Sequence, residues 1–191
     1  MKRVTILNGI TDDKYQNFEK QLADFTGQNS EKLQIDCFKL RDMNIKYCTG
    51  CWSCWLKTPG RCPVKDDMPA ILKSVVHSEL VIFVSPVVMG FVSKYIKRVN
   101  DRTIPILNPY IGIFENEFHH TGRYEKYPAL GLMLLTEGQE AKEAVNGHER
   151  PNLDIITEIY GRMALNMKSK LAFSIANDGD MEVLANEMYR I

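Results

Sequence analysis

Leu80-Val81-Ile82-Phe83-Val84-Ser85-Pro86 is the stretch on which the fold turns. An unbroken apolar run of this kind reads as a strand buried on both faces, because a strand with one wet face would alternate. Ser85-Pro86 is predicted to close it. Doubly buried strands belong to parallel sheets covered by helices on each side, so the flanking sequence should alternate strand and helix. Upstream, Val4 to Leu7 is a β-branched run stopping at the turn signal Asn8-Gly9. Tyr15, Phe18, Leu22 and Phe25 then recur at helical spacing, with Gly27 predicted to end that helix. Leu33 to Phe38 reads as a second strand. Asp66-Asp67-Met68-Pro69 opens a helix with Ile71, Leu72 and Val75 inward, since acids and proline suit a first turn. Downstream, Val92, Tyr95, Ile96 and Val99 mark a helix, and Ala129 to Thr136 a fourth strand. Leu153, Ile156, Tyr160, Met163 and Met167 form a helical stripe, Leu171 to Ala176 a fifth strand, and the tail from Asp180 a short closing helix.

Five strands alternating with helices require a parallel sheet with right-handed crossovers. Ligands in such sheets sit beyond the carboxyl ends of the strands, near the switch in strand order. That rule predicts three loops together: Asn8 to Tyr15, Ser85 to Ser93, and Thr136 to Gln139. With 191 residues, 45% of them apolar, the chain is read as one domain, 1–191. The piece from Thr103 to Tyr127, with Pro105, Pro109, a His119-His120 pair and little periodicity, reads as a long excursion. Lysine plus arginine and aspartate plus glutamate are 24 each, which leaves no field to gather nucleic acid or an anionic membrane. The start of the chain lacks the apolar core of a leader peptide and no stretch approaches a membrane span, so the expected compartment is the cytoplasm. In that reducing setting the five cysteines are expected to be ligands or redox groups rather than disulfides.

Cys48-x-x-Cys51-x-x-Cys54, seven residues, then Cys62, inside the cysteine-rich loop 47–64, is the most informative motif. Two-residue gaps bring sulfurs toward a common centre, and Pro59-Gly60 lets the chain fold back. Three readings are open: a [4Fe-4S] cluster, a structural zinc site with four cysteine ligands, and metal-free thiols or a redox disulfide. Cys37, in a strand, reads as a small buried apolar residue. Trp52 and Trp55 either shield a cluster from water or pack the loop onto the domain. Glu117, His119 and His120 have metal-binding residue types, but adjacent histidines in a loop usually point apart. Lys94, Lys97, Arg98 and Arg102 read as a solvated helix face.

Cys48-Thr-Gly-Cys51-Trp-Ser-Cys54-Trp55 with Gly60, Cys62 and Asp66-Asp67-Met68 resembles the cysteine motif of iron–sulfur flavoproteins in the NADPH-dependent FMN reductase family. Ser85-Pro86-Val87-Val88-Met89-Gly90 with Ser93, Lys97, Asp101 and Arg102 is similar to that family's flavin-ring loop and the helix after it. The resemblance implies a flavodoxin-like three-layer sandwich, a five-stranded parallel sheet of order 2-1-3-4-5, FMN as cofactor and NAD(P)H as donor. It also implies a homodimer or homotetramer, and electron transfer to a small-molecule or protein acceptor. The chemistry is then flavin-borne and needs no catalytic side chain. Implied flavin contacts are Asn8, Gly9 and Thr11 at the phosphate, Pro86, Val87, Val88, Met89 and Gly90 at the ring, and Thr136 on the third loop. The implied cluster ligands are Cys48, Cys51, Cys54 and Cys62.

Two departures from the family pattern bear on this. Asp12 and Asp13 occupy the helix start where the FMN dianion should lie, which predicts weak FMN binding. Val88 stands where an aromatic ring is common. The alternative function is a flavin-free flavodoxin-like binding protein whose cysteine loop is a structural metal or redox knot. The apolar residues Ile104, Ile106, Leu107, Tyr110, Ile111 and Phe114 of the excursion predict an oligomer that buries it.

Overall fold

A computed structural model describes residues 1–29, 31–136, 153–177 and 179–190. Its centre is a parallel sheet of β1 (Lys2–Asn8), β2 (Leu33–Lys39), β3 (Leu80–Val88), β7 (Ala129–Leu135) and β8 (Leu171–Asn177), ordered β2-β1-β3-β7-β8. That is the expected 2-1-3-4-5 order, with its switch between β1 and β3. Side chains alternate across the sheet. Val81 and Phe83 of β3 with Leu130, Leu132 and Leu134 of β7 face one layer, made by α3 (Met68–His77), α4 (Lys94–Asp101) and α5 (Leu153–Asn166). Leu80, Ile82 and Val84 with Met133 and Leu135 face the other, made by α1 (Gln16–Gln28) and α6 (Met181–Arg190). Both faces of β3 and β7 are therefore dry, which is why their sequences do not alternate. Among the described residues no helix is long and apolar enough to cross a membrane.

Three expectations need correction. First, β3 does not stop at Ser85-Pro86 but runs to Val88 and folds back through β4 (Phe91–Val92). Proline is tolerated there because β1 ends at Asn8, opposite Val84, whose carbonyl accepts the Gly9 amide at 2.8 Å. Two residues on, the missing N–H of Pro86 points to the same side, where no strand remains to receive it. Second, the excursion is ordered. A 3-10 turn, Ile104–Ile106, leads into an antiparallel hairpin of β5 (Leu107–Phe114) and β6 (Glu117–Gly122). Glu115 and Asn116 both take positive φ, 50° and 60°, as a two-residue hairpin turn of the twist-matched kind requires. Glutamate in place of the usual asparagine or glycine hides that turn in the sequence. Third, Cys37 on the edge strand β2 is not enclosed in the core, although burial, then the Glu19 charge, pushes its thiol up to about 11.

Candidate functional site

At the carboxyl edge of the sheet, β1 and β3 deliver two loops to the switch point. Thr11, Asp12, Lys14 and Tyr15 from the first meet Pro86, Val87 and Val88 from the second over Leu135, enclosing about 110 Å3. This is the predicted crevice. Its third predicted loop is reached only at Thr136, since 137–152 lie outside the described residues. The ring-loop residues end in a tight turn, Met89 at φ 50° and Gly90 at φ 75°, which leaves the Met89 side chain fully in solvent.

The first loop is braced from within. Asn8 is buried; its Oδ1 accepts the Ile10 amide at 3.0 Å and its Nδ2 donates to Glu19 Oε1 at 2.6 Å. Gly9 is fixed by packing, because a Cβ there would lie 2.3 Å from Ile96 Cγ1. Thr136 is buried and donates its amide to the Asn177 carbonyl at 3.0 Å, tying β7 to β8. Of the implied flavin contacts, Thr11, Pro86, Val87 and Val88 line the crevice, while Asn8, Gly9 and Thr136 shape it from behind.

The two aspartates behave differently from the bare-charge expectation. Asp12 accepts the Lys14 amide at 3.0 Å and the Thr11 hydroxyl at 3.1 Å, and these bonds, the amide first, hold its carboxyl below the usual range. Asp13 turns back to Arg41 at 3.4 Å. Arg41 also grips Glu19 through two nitrogens, at 2.9 and 2.7 Å, with Lys39 3.7 Å from the same carboxylate. Arg41 thus offsets part of the charge at Asp13, while Lys39 answers Glu19.

The four cysteines do converge. Cys48, Cys51, Cys54 and Cys62 line one pocket of about 20 Å3 with Trp52 and Ile104. Positive φ at Gly50 (64°), Trp52 (58°) and Gly60 (81°) winds the loop that tightly, and a single helical turn, α2 (Ser53–Leu56), carries Cys54 inward. Burial, then the neighbouring Cys62, pushes the Cys54 thiol up, whereas hydrogen bonds from Ser53 pull the exposed Cys51 thiol down. Among the described residues no three cysteine, histidine or carboxylate side chains stand close enough to hold one metal ion. Trp55 ties the loop to the hairpin: its indole N–H donates to the Ile104 and Leu107 carbonyls at 3.1 and 3.0 Å, and its ring lies 4.8 Å from that of His120. His119 instead reaches Glu117 at 3.1 Å, so the pair splits across the strand.

One feature was invisible from spacing. Arg102, assigned to a solvated face, is buried, and donates to both oxygens of Asp66 at 2.7 and 3.1 Å, with the two side chains 1% and 0% exposed. It also donates to the Lys46 carbonyl at 2.8 Å, while Asp66 accepts the Lys46 and Met68 amides at 2.9 and 3.2 Å. Burial alone would raise the Asp66 carboxyl, yet the Arg102 guanidinium and these amides hold it below the usual range. Burial likewise opposes the charge on Arg102, and Asp66 with Cys62 outweighs it. The pair clasps the exit of the cysteine loop to the end of α4.

No protein-family model matches the chain. It is 36% identical to an iron–sulfur flavoprotein of Methanocaldococcus jannaschii over 76 residues, 40% of this chain and 38% of that one. An iron–sulfur flavoprotein of Archaeoglobus fulgidus is 34% identical over 106 residues, 55% of this chain and 46% of that one. The chain spans less than half the length of these curated relatives. A solved FMN-dependent NADH-azoreductase from Bacillus anthracis in complex with FMN superposes with a TM-score of 0.61 at 14% identity, covering 100% of this chain and 95% of that one. The resemblance to iron–sulfur flavoproteins and the flavodoxin-like fold are thereby borne out.

Proposed function

We propose that this chain, with its likeness to iron–sulfur flavoproteins, is an FMN-dependent oxidoreductase that takes electrons from NAD(P)H and passes them to a small-molecule or protein acceptor. The observation that carries the reading is the crevice at the β1/β3 switch point, where Thr11 to Tyr15 face Pro86 to Val88. Flavodoxin-like proteins bind FMN at that switch point, as a general rule of the fold. Bound FMN supplies hydride acceptance and one-electron transfer. The chain's residues do the positioning. The Pro86 to Gly90 hairpin offers an apolar, backbone-rich edge to a ring, with Val88 half-exposed there. Lys14 supplies a cation to a phosphate, and the Thr11 hydroxyl a hydrogen bond once it turns from Asp12. Because Arg41 draws Asp13 away, the residues present fit FMN better than the sequence alone indicated.

In the same reading Cys48, Cys51, Cys54 and Cys62 hold a [4Fe-4S] cluster. Each iron takes one thiolate, so the four sulfurs need not approach one atom, which suits a shared pocket lacking a single-ion site among the described residues. Cys48 and Cys51, both exposed, open outward to admit it. The outer hairpin face, with Ile111, Ile113 and Phe118 exposed, is the surface we assign to a homodimer or homotetramer. Ile106 and Leu107 lie in the chain's own core and take no part in it.

A second reading, a flavin-free binding protein, draws support from the Ile10 and Lys14 amides, which Asn8 and Asp12 already occupy. Titration of FMN-stripped protein with FMN, followed by flavin fluorescence, separates the two. The proposal expects saturable one-to-one quenching. Absence of quenching at any attainable concentration selects the second.

A further inference from the structure

A cavity of about 550 Å3 lies against α3 and has only Cys62 in common with the four-cysteine pocket. Met68, Pro69, Leu72, Val76 and Ile106 form its walls, and Tyr124 adds a ring. This volume is in the usual range for sites that enclose a small organic molecule, and mostly apolar lining with a few polar groups is their usual chemistry. The charged groups here share one sign: Arg61 and Lys73 stand at the rim, with His77 beside them as a polar group, and no carboxylate lines the cavity among the described residues. Arg61 and Lys73 are exposed and form no ion pair among those residues. An apolar chamber ringed by uncommitted cations favours an occupant that is flat, apolar and negative at one end.

We propose that this cavity is a binding site for an aromatic anion, a fused-ring or two-ring molecule bearing one carboxylate or sulfonate. The rings fill the space between Leu72, Val76 and Ile106. The charged end remains at the mouth, within reach of Arg61 and Lys73, where neither ion is wholly stripped of water. An occupant there covers one side of Cys62. The inference goes beyond the oxidoreductase reading and requires neither a flavin nor a cluster.

The test uses 8-anilino-1-naphthalenesulfonate, whose fluorescence rises in apolar surroundings, and the uncharged N-phenyl-1-naphthylamine as its neutral counterpart. Wild-type protein with native near-ultraviolet dichroism should bind both saturably. Lys73→Glu and Arg61→Glu should each weaken the sulfonate on the order of tenfold while leaving the neutral probe unchanged. Leu72→Trp fills the cavity and should abolish both. It leaves alone a more open groove of about 650 Å3 that also touches Lys73 and His77 but not Leu72. Should Leu72→Trp lose its native dichroism, Val76→Phe serves the same purpose. Sulfonate binding indifferent to the charge reversals, binding that survives a filled cavity, or no saturable binding by the wild type would each overturn the proposal. Failure here leaves FMN titration untouched, so the two readings fall separately.

Discussion

Replacing Asp66 by alanine would strand the Arg102 guanidinium, whose side chain is 1% exposed, without its carboxylate. Breaking a buried ion pair by removing one partner costs about 3–5 kcal/mol. The same change takes the acceptor from the Lys46 and Met68 amides, at 2.9 and 3.2 Å, adding about 1 kcal/mol for each amide that stays dry. A loss near the top of that range is a large part of the roughly 5–15 kcal/mol that holds a typical domain together. At about 2–4 °C per kcal/mol for a chain of this size, the melting temperature should fall by roughly 10–20 °C. Urea unfolding of reduced protein measures it directly. The double variant Asp66→Leu with Arg102→Met removes both charges, and should cost at least about 2 kcal/mol less than the single changes added together. Additivity within about 0.5 kcal/mol would refute the pairing. Acid supplies an independent check. Because Asp66 is held below the usual carboxyl range when folded, the unfolded chain takes up its proton first as pH falls. Its stabilisation is complete above about pH 4 and disappears below that, so the gap between wild type and Asp66→Asn should close in acid.

Asp12→Ser keeps a capping oxygen for the Lys14 amide and removes one exposed charge, so FMN affinity should tighten about fivefold, whereas Asp13→Asn, already turned to Arg41, should change it little; titration by fluorescence compares them. Cys54→Ser, at the buried one of the four proposed ligands, should lose iron and the broad visible absorbance of anaerobically prepared protein, and retention of full iron content would remove Cys54 from the proposed set. Ile113→Asp together with Phe118→Asp, both on the exposed hairpin face, should convert an oligomer to monomer in light scattering without lowering the melting temperature.

How much of this was legible follows from what each signal depends on. The sheet was readable because β3 and β7 are covered twice, so burial wrote itself into unbroken apolar runs, and the helices showed their single faces as stripes. The hairpin was not, since its turn uses Glu115-Asn116 and its outward side chains are apolar, which erases the alternation. The extension of β3 through Pro86 depended on where β1 stops, a fact of register that no local window holds. The cysteine cluster was legible because its spacing is local. Arg102 was not, because its partner lies 36 residues away and its neighbour Lys97 is a surface cation paired with Asp101. Of the two aspartates at the helix start, Asp13 has its charge answered by Arg41, 28 residues further on, a pairing that no local window holds.

The central claim is that one chain carries FMN at the β1/β3 crevice and a cluster on its cysteines. The visible spectrum of anaerobically purified protein, read alongside its flavin and iron content, addresses both parts at once. The account predicts resolved flavin bands over a broad iron–sulfur shoulder, with about one FMN and four irons per chain. A colourless protein that neither takes up FMN nor accepts iron and sulfide on reconstitution would contradict it.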